Sequence, residues 1–255
     1  MSIFAYVSRV LVLYTILNIL VQKMKKLLIY QSYYIPWRGY FDMINMADEF
    51  VIYDSSQYSK NGFYNRNQIK TPNGQQWITI PVKNSHHISE HQKIRETEAV
   101  DDIWRRKHWN AICLNYAKAP YFKEYREKFE NLYLNGTEKK LTEINMSFFK
   151  VIFEILGIET EIKQDYEYEL METDKNGKLI NIIKQSGANV YISSPMAKNY
   201  MEEEKFKEAG IEIEWMDYSG YPEYNQQYPP FEMGVTILDL IFNEGKNSRK
   251  FMKSM

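Results

Sequence analysis

Along the chain the spacing of apolar residues changes period several times, and each change marks an element. Leu27 to Tyr30 is a short apolar run that reads as a buried strand, and it passes at Gln31 into a segment holding Pro36 and Gly39. After Gly39, Phe41, Ile44 and Ala47 fall on one face of a short helix, and Phe50 to Tyr53 gives a second strand. Strand, loop, helix and strand make a βαβ unit. The loop at the carboxyl end of its first strand, Gln31 to Gly39, then lies at the mouth of the sheet, where open α/β folds bind ligands. Thr71-Pro72-Asn73-Gly74 before Trp77-Ile78-Thr79-Ile80 predicts a hairpin with Gln68 to Lys70, since Asn-Gly supplies the positive φ of a tight turn.

From Asp101 the period becomes helical. Asp101 can cap a helix in which Ile103, Trp104, His108, Ala111, Ile112 and Tyr116 share a broad face. Pro120 interrupts it, and Tyr121 to Leu134 resumes. Leu141 to Leu156 follows with an apolar face wide enough for a core, ended by Gly157. The last third alternates again. It reads as mixed strand-forming residues over Ile158 to Tyr168, a helix from Lys178 to Ser186, a strand from Asn189 to Ser193, a helix from about Ala197 to Glu204, and a strand from Ile211 to Met216. A tyrosine- and proline-rich loop from Tyr218 to Phe231, a helix from Thr236 to Asn243 and a basic tail close the chain. Strands separated by helices predict an α/β three-layer sandwich with a mainly parallel sheet and a helical layer or insertion around 101–156.

Residues 1–23 form an apolar N-terminal extension, interrupted by Arg9 and Asn18 and followed by Lys23, Lys25 and Lys26. No cleavage site follows the apolar core, so it reads either as a mis-assigned start before Met24 or as an anchor with its positive flank in the cytoplasm. Either way residues 24–255 form a single domain expected in the cytoplasm, with membrane contact only through a genuine anchor. The 32 basic and 33 acidic residues give a formal net charge of -1, which signals no nucleic-acid partner. The 21 tyrosines stand out, because a phenol can stack on a sugar face and bond with its hydroxyl.

The polar residues of the first half fall where the mouth should be. Gln31 leaves the first strand and Asp54 the second, and the next loop carries Gln57, Tyr58, Asn65, Arg66 and Asn67. The Asn-Arg-Asn triplet supplies amide and guanidinium donors suited to carboxylate, phosphate or sugar hydroxyls, although amides there can equally tie down loops. Ser193 and Ser194, between a strand end and a helix start, can receive an anion or can simply cap with Pro195. Tyr224 and Gln227 sit in the tyrosine-rich loop, of the kind that recognises ligand when a scaffold holds it.

His108 sits on an apolar helix face, as a core imidazole or as a catalytic one. Cys113, the single cysteine, excludes an internal disulfide and reads as a small buried hydrophobe. His86, His87 and His91 lie in a polar stretch that reads as a solvated loop or lid, with no cysteine or aspartate beside them to complete a metal site. No metal centre is expected, and the sequence names no cofactor. A hydrolase would need a G-x-S-x-G or zinc signature, and neither is present.

Several separated blocks resemble the WbqC-like family of surface-glycan and O-antigen gene clusters. They are Gln31, Tyr34, Pro36-Trp37, Gly39-Tyr40-Phe41, Asp54, Gln57-Tyr58, Asn65-Arg66-Asn67, Asn73-Gly74 and Trp77 to Val82, then Lys107-His108, Tyr116-x-Lys118-Ala119-Pro120-Tyr121-Phe122 and Leu238-Asp239-Leu240-Ile241-Phe242-Asn243-x-Gly245. The resemblance implies a transferase of surface-polysaccharide biosynthesis, moving an acyl or aminoacyl group onto an amino sugar or nucleotide sugar. The alternative is a non-catalytic sugar-nucleotide binding protein of a glycan pathway. In a transferase, His108 would take the proton from the attacking amine or hydroxyl and Asp54 would orient it or the substrate, with Gln31, Tyr34 and Trp37 among the substrate-binding residues. The implied partners are a small sugar or nucleotide sugar and an acyl donor or carrier protein. Ser32, Ser55 and Ser194 depart from the family pattern, which usually has proline, often aspartate and usually glycine there, so Ser55 weakens a two-carboxylate site. Pro36-Trp37-Arg38-Gly39-Tyr40 also resembles, at the level of fold alone, the first loop of nucleotidyltransferases with His-x-Gly-His. Trp37 and Tyr40 stand in the two histidine places, which argues against ordinary nucleotidyl transfer.

Overall fold

The structure, a computed structural model, describes residues 24–83, 92–171 and 174–255. Five parallel strands make the sheet: β1 (Lys26–Tyr30), β2 (Glu49–Ile52), β5 (Glu161–Gln164), β6 (Val190–Ser193) and β7 (Glu212–Trp215). They lie in the order β5-β2-β1-β6-β7. The chain first winds outward from β1 through β2 to β5, then returns to place β6 on the other side of β1. The winding therefore reverses between β1 and β6, and at such a reversal the two flanking loops part and leave a crevice beyond the carboxyl ends of the strands.

Alternation along β1 explains the layers. Leu28 belongs with Phe50, Ile52 and Ile192 to a core on one face of the sheet, whereas Leu27, Ile29, Val51 and Tyr191 face a second core. The second, smaller core is closed by α5 (Lys175–Ser186) and α6 (Glu203–Glu208) through Ile182, Ile183 and Phe206. The larger one holds α1 (Arg38–Asn45), the helical block α2 (Ile103–Tyr116), α3 (Phe122–Leu134) and α4 (Leu141–Leu156), and the closing α7 (Ile237–Glu244). This is the three-layer α/β sandwich expected, with residues 103–156 as the helical layer. A separate antiparallel hairpin, β3 (Arg66–Thr71) and β4 (Gly74–Thr79), packs on the same side, its turn closed at Gly74 with φ 95°.

One element differs from expectation. The single helix expected over Ala197 to Glu204 is split into a 3-10 turn, Pro195–Asn199, and α6. Asn176 at the start of α5 bonds both the backbone N–H of Glu202 (3.4 Å) and its carboxylate (3.0 Å), and Met201 turns inward, so the chain leaves the helical path between them. No helix among the described residues is long and apolar enough to cross a membrane. The apolar extension 1–23 and the histidine-bearing loop with His86, His87 and His91 lie outside the described residues.

Candidate functional site

The loop from Gln31 to Trp37 leaves β1 at the reversal point and is held in a strained path. Ile35 has φ 38°, a left-handed conformation that a β-branched residue adopts only when its surroundings dictate it. Asn67 of β3 supplies the constraint, its amide donating to the carbonyls of Tyr34 and Ile35 at 3.0 Å each. Gln31 stays half-buried at the rim, its carbonyl accepting from the Tyr40 hydroxyl at 2.6 Å. Trp37 occupies the N-cap of α1 and lies across Gly39, where a Cβ would meet the indole at 2.4 Å.

Opposite, β6 ends on Ser193 and Ser194 follows it, both buried. Ser194 takes the N-cap position before Pro195, yet its hydroxyl makes no capping bond. Around the two strand ends stand phenols. Tyr30 packs edge-on against Tyr33 (5.5 Å between ring centres), Tyr200 and Tyr218 lie in its electrostatic neighbourhood, and Tyr53 follows β2 beside it, its backbone N–H donating to the Tyr30 carbonyl at 2.9 Å. Burial first, and then neighbouring phenols, push the hydroxyl pKa values of Tyr33, Tyr200 and Tyr218 upward, so these groups stay neutral donors. The mouth is thus lined by neutral hydroxyls, an amide and aromatic faces. None of Tyr30, Tyr33, Tyr53, Tyr200 or Tyr218 was singled out from the sequence. The available signal was the Tyr33-Tyr34 doublet directly after a strand, which leaves open which ring faces out.

The expected catalytic pair does not open into this mouth. Asp54 is 1% exposed and accepts from the Ser32 N–H (2.9 Å), the Ser32 hydroxyl (2.6 Å) and the Thr142 hydroxyl (2.5 Å). Burial raises its carboxyl pKa to about 6 against the opposing pull of those hydrogen bonds. Asp165, after β5, does the same for the next loop, accepting from the Ser55 N–H at 2.6 Å and pairing with Arg95 at 3.3 Å. The two carboxylates stitch the loops after β1, β2 and β5 together. Thr142 and Asn145 of α4 complete the network. They are polar residues on a face that otherwise reads as core, and that was the signal available in the sequence.

His108 is 5% exposed, and both its nitrogens are engaged. Nε2 faces the Thr79 carbonyl at 3.2 Å, which fixes Nδ1 as the acceptor for the Tyr34 hydroxyl at 3.0 Å, itself bonded to the Tyr133 hydroxyl at 2.7 Å. Burial among Trp104, Tyr34 and Tyr133 lowers its pKa to about 4, so the ring is neutral at pH 7. The core reading of His108 is the one realised, and Tyr34, 0% exposed, is its partner rather than a substrate contact.

The other expected residues divide. Asn65 and Asn67 turn inward, Asn65 donating to the Ile80 carbonyl at 2.8 Å, so both amides tie loops instead of facing a ligand. Arg66 points outward, over the Trp77 ring at 4.3 Å. Tyr58 is buried against Tyr64, while Gln57 is exposed beside it. Tyr224 donates to Asp239 at 2.6 Å, and Gln227 lies in the same loop. Asp239 reaches inward from α7 and also accepts from Tyr116 at 3.0 Å. Cys113 is half-buried and unpaired, and burial pushes its thiol pKa up. Among the described residues no three histidine, cysteine, aspartate or glutamate side chains come together as a metal set. A cavity of about 730 Å³ opens elsewhere, between α4 and the end of β5, lined by Arg95, Lys140, Thr142, Glu143 and Gln164. It sits at the sheet edge rather than at the reversal point.

The chain matches the model of the WbqC-like protein family over residues 31–251, from the mouth loop to the closing turn. It is also similar to an uncharacterized protein of Mycobacterium tuberculosis (strain ATCC 25618 / H37Rv), 42% identical over 230 residues, which cover 90% of this chain and 98% of that protein. No solved structure matches it.

Proposed function

Because this chain belongs to the WbqC-like protein family, we propose that it handles a sugar at the crevice between β1 and β6, as a transferase that decorates a surface glycan. The observation that carries the reading is the mouth itself. Five phenols, two serines and Gln31 meet at the reversal point of a doubly wound sheet, and the set is neutral, hydroxyl-rich and aromatic. A sugar presents hydroxyls at its edges and C–H groups on its faces, and this lining answers both.

In the proposed reaction the amine of an amino sugar or nucleotide sugar attacks the carbonyl of an acyl or aminoacyl donor. The new C–N bond forms as the donor's thiol or hydroxyl leaves, and the amine's proton passes to that leaving group or to water. The protein contributes mainly by holding two reactants in register, an effect that is large in its own right. His108 and Asp54 enter as positioning residues: His108 orders Tyr34 and the strained loop, and Asp54 locks Ser32 at the start of the same loop. The site and the reaction are placed in the cytoplasm, where nucleotide sugars and acyl donors are made.

A second reading, binding without transfer, is favoured by one observation: both expected proton-transfer groups are sealed from the mouth. Calorimetry of the full chain with uridine diphosphate N-acetylglucosamine and with a nucleotide sugar bearing a free amine tests binding. Mass spectrometry after adding acyl-coenzyme A or aminoacyl-tRNA tests transfer. Binding that weakens in Gln31→Ala and Ser193→Ala, together with acylated product, supports the transferase. Binding without product supports the second reading, and no binding to either sugar removes both.

A further inference from the structure

The β3–β4 hairpin has two unlike faces. Ile69 and Ile78 point into the core and are 0% and 4% exposed, while Arg66, Gln68, Gln75 and Trp77 share the opposite face, with Gln68 directly across from Trp77. Trp77 is 42% exposed and its neighbour Phe63 41%, which is far out for rings of that size. Phe63 lies 5.8 Å from Trp77 and 5.7 Å from Tyr33, and Tyr33 lies 5.5 Å from Tyr30 at the end of β1. A continuous aromatic path therefore leaves the mouth and runs out over the hairpin, with the Arg66 guanidinium over its last ring.

We propose that this strip, Tyr33–Phe63–Trp77 with Arg66, Gln68 and Gln75 beside it, is an extended subsite for an oligosaccharide, so that the sugar handled at the mouth belongs to a glycan longer than one residue. The proposal rests on the glycan reading above and adds the size of the substrate. The chemistry of the strip suits this occupant. Ring faces take the C–H faces of successive sugars, and the Gln68 amide takes their hydroxyls beside Arg66 and Gln75, which Asn61 and Glu232 hold in place. Exposed rings and an arginine are also what a protein interface collects, and the oligosaccharide length series below decides between the two. A nucleic acid would demand a basic groove, which Arg66 alone does not make, since Lys70, the other cation on this face, is buried against the Pro230 carbonyl.

The test titrates the full chain with N-acetylglucosamine oligomers and with maltooligosaccharides, from one to six sugars, read by calorimetry and tryptophan fluorescence. Affinity in at least one series should rise about tenfold or more from monomer to tetramer, of the order expected from added ring contacts. Trp77→Ala and Phe63→Ala, both at exposed rings, should each reduce that gain to about threefold or less, with melting temperatures confirming that the variants fold. The proposal is overturned by the absence of a length-dependent gain in both series, or by a gain that survives both substitutions. Length-dependent binding lost in Trp77→Ala, with no nucleotide-sugar binding or transfer, leaves the strip standing and removes the transferase reading. Nucleotide-sugar transfer with no length dependence does the reverse.

Discussion

At the scale of single residues, two buried titratable groups pull stability in opposite directions over one pH window. The Asp54 carboxyl has its pKa raised to about 6 by burial, so the folded state holds its proton more tightly than the unfolded chain. That stabilisation is complete below the ordinary aspartate range and is lost as pH rises toward 6. The His108 ring, lowered to about 4 by burial, contributes the opposite slope: it stays neutral in the fold, and stability falls as pH drops from the ordinary histidine value toward 4. The two slopes oppose each other between pH 4 and 6. Asp54→Asn removes one of them, so the unfolding free energy of the variant relative to the parent should rise by on the order of 2 kcal/mol from pH 4 to pH 6. Urea midpoints at several pH values measure this, and a difference that does not vary with pH would refute it. Asn67 offers a second case. Asn67→Ala strips the amide from two loop carbonyls beside Ile35, and we expect a loss of about 1–3 kcal/mol, with faster hydrogen exchange confined to residues 31–37. A loss spread evenly over the chain would instead make Asn67 an ordinary core residue.

At the scale of elements, the tyrosine-rich segment from Tyr218 to Phe231 is held down by the residue that opens α1. Arg38 is 3% exposed, donates to the carbonyls of Pro222 and Phe251 at 2.7 and 3.0 Å, and lies 4.7 Å from the Tyr221 ring centre. Lys70 of β3 adds a bond to the Pro230 carbonyl at 2.5 Å. A segment with little regular structure is thereby fixed by two buried cations and by Asp239, which takes the Tyr224 hydroxyl. Arg38→Met keeps the apolar stem and removes the donors. Limited proteolysis should then cut between residues 218 and 231 well before the helices, and a variant as resistant as the parent would show that the guanidinium is not what holds the loop. Such a segment was visible in the sequence as unable to form helix, but its latch was not, because Arg38 and Pro222 are 184 positions apart.

At the scale of the whole molecule, both cores share the central strands β1, β2 and β6, since alternate residues of each enter opposite layers. Neither layer keeps its apolar face covered without the sheet between them, so residues 24–255 should unfold as one cooperative unit. Trp104 and Trp109 report on the larger layer and Trp215 on the smaller. Tryptophan fluorescence and far-ultraviolet circular dichroism should give one urea midpoint, and two separated transitions would divide the chain into independent units.

The sequence by itself determined most of the run of strands and helices from Leu27 onward, the Asn73-Gly74 hairpin and the α/β class, since each follows from local spacing and turn chemistry. The tertiary structure alone decided which polar side chains face the crevice. Asn65, Arg66 and Asn67 read alike as a donor cluster, yet alternation sends the two amides inward and the guanidinium out. His108 and Asp54 read as a pair, yet each is satisfied within its own buried network. The physical reason is that a polar group's role is set by its hydrogen-bond partners. Those partners, such as the Ile35 carbonyl 32 positions before Asn67 or Thr142 88 positions after Asp54, become neighbours only when the layers pack.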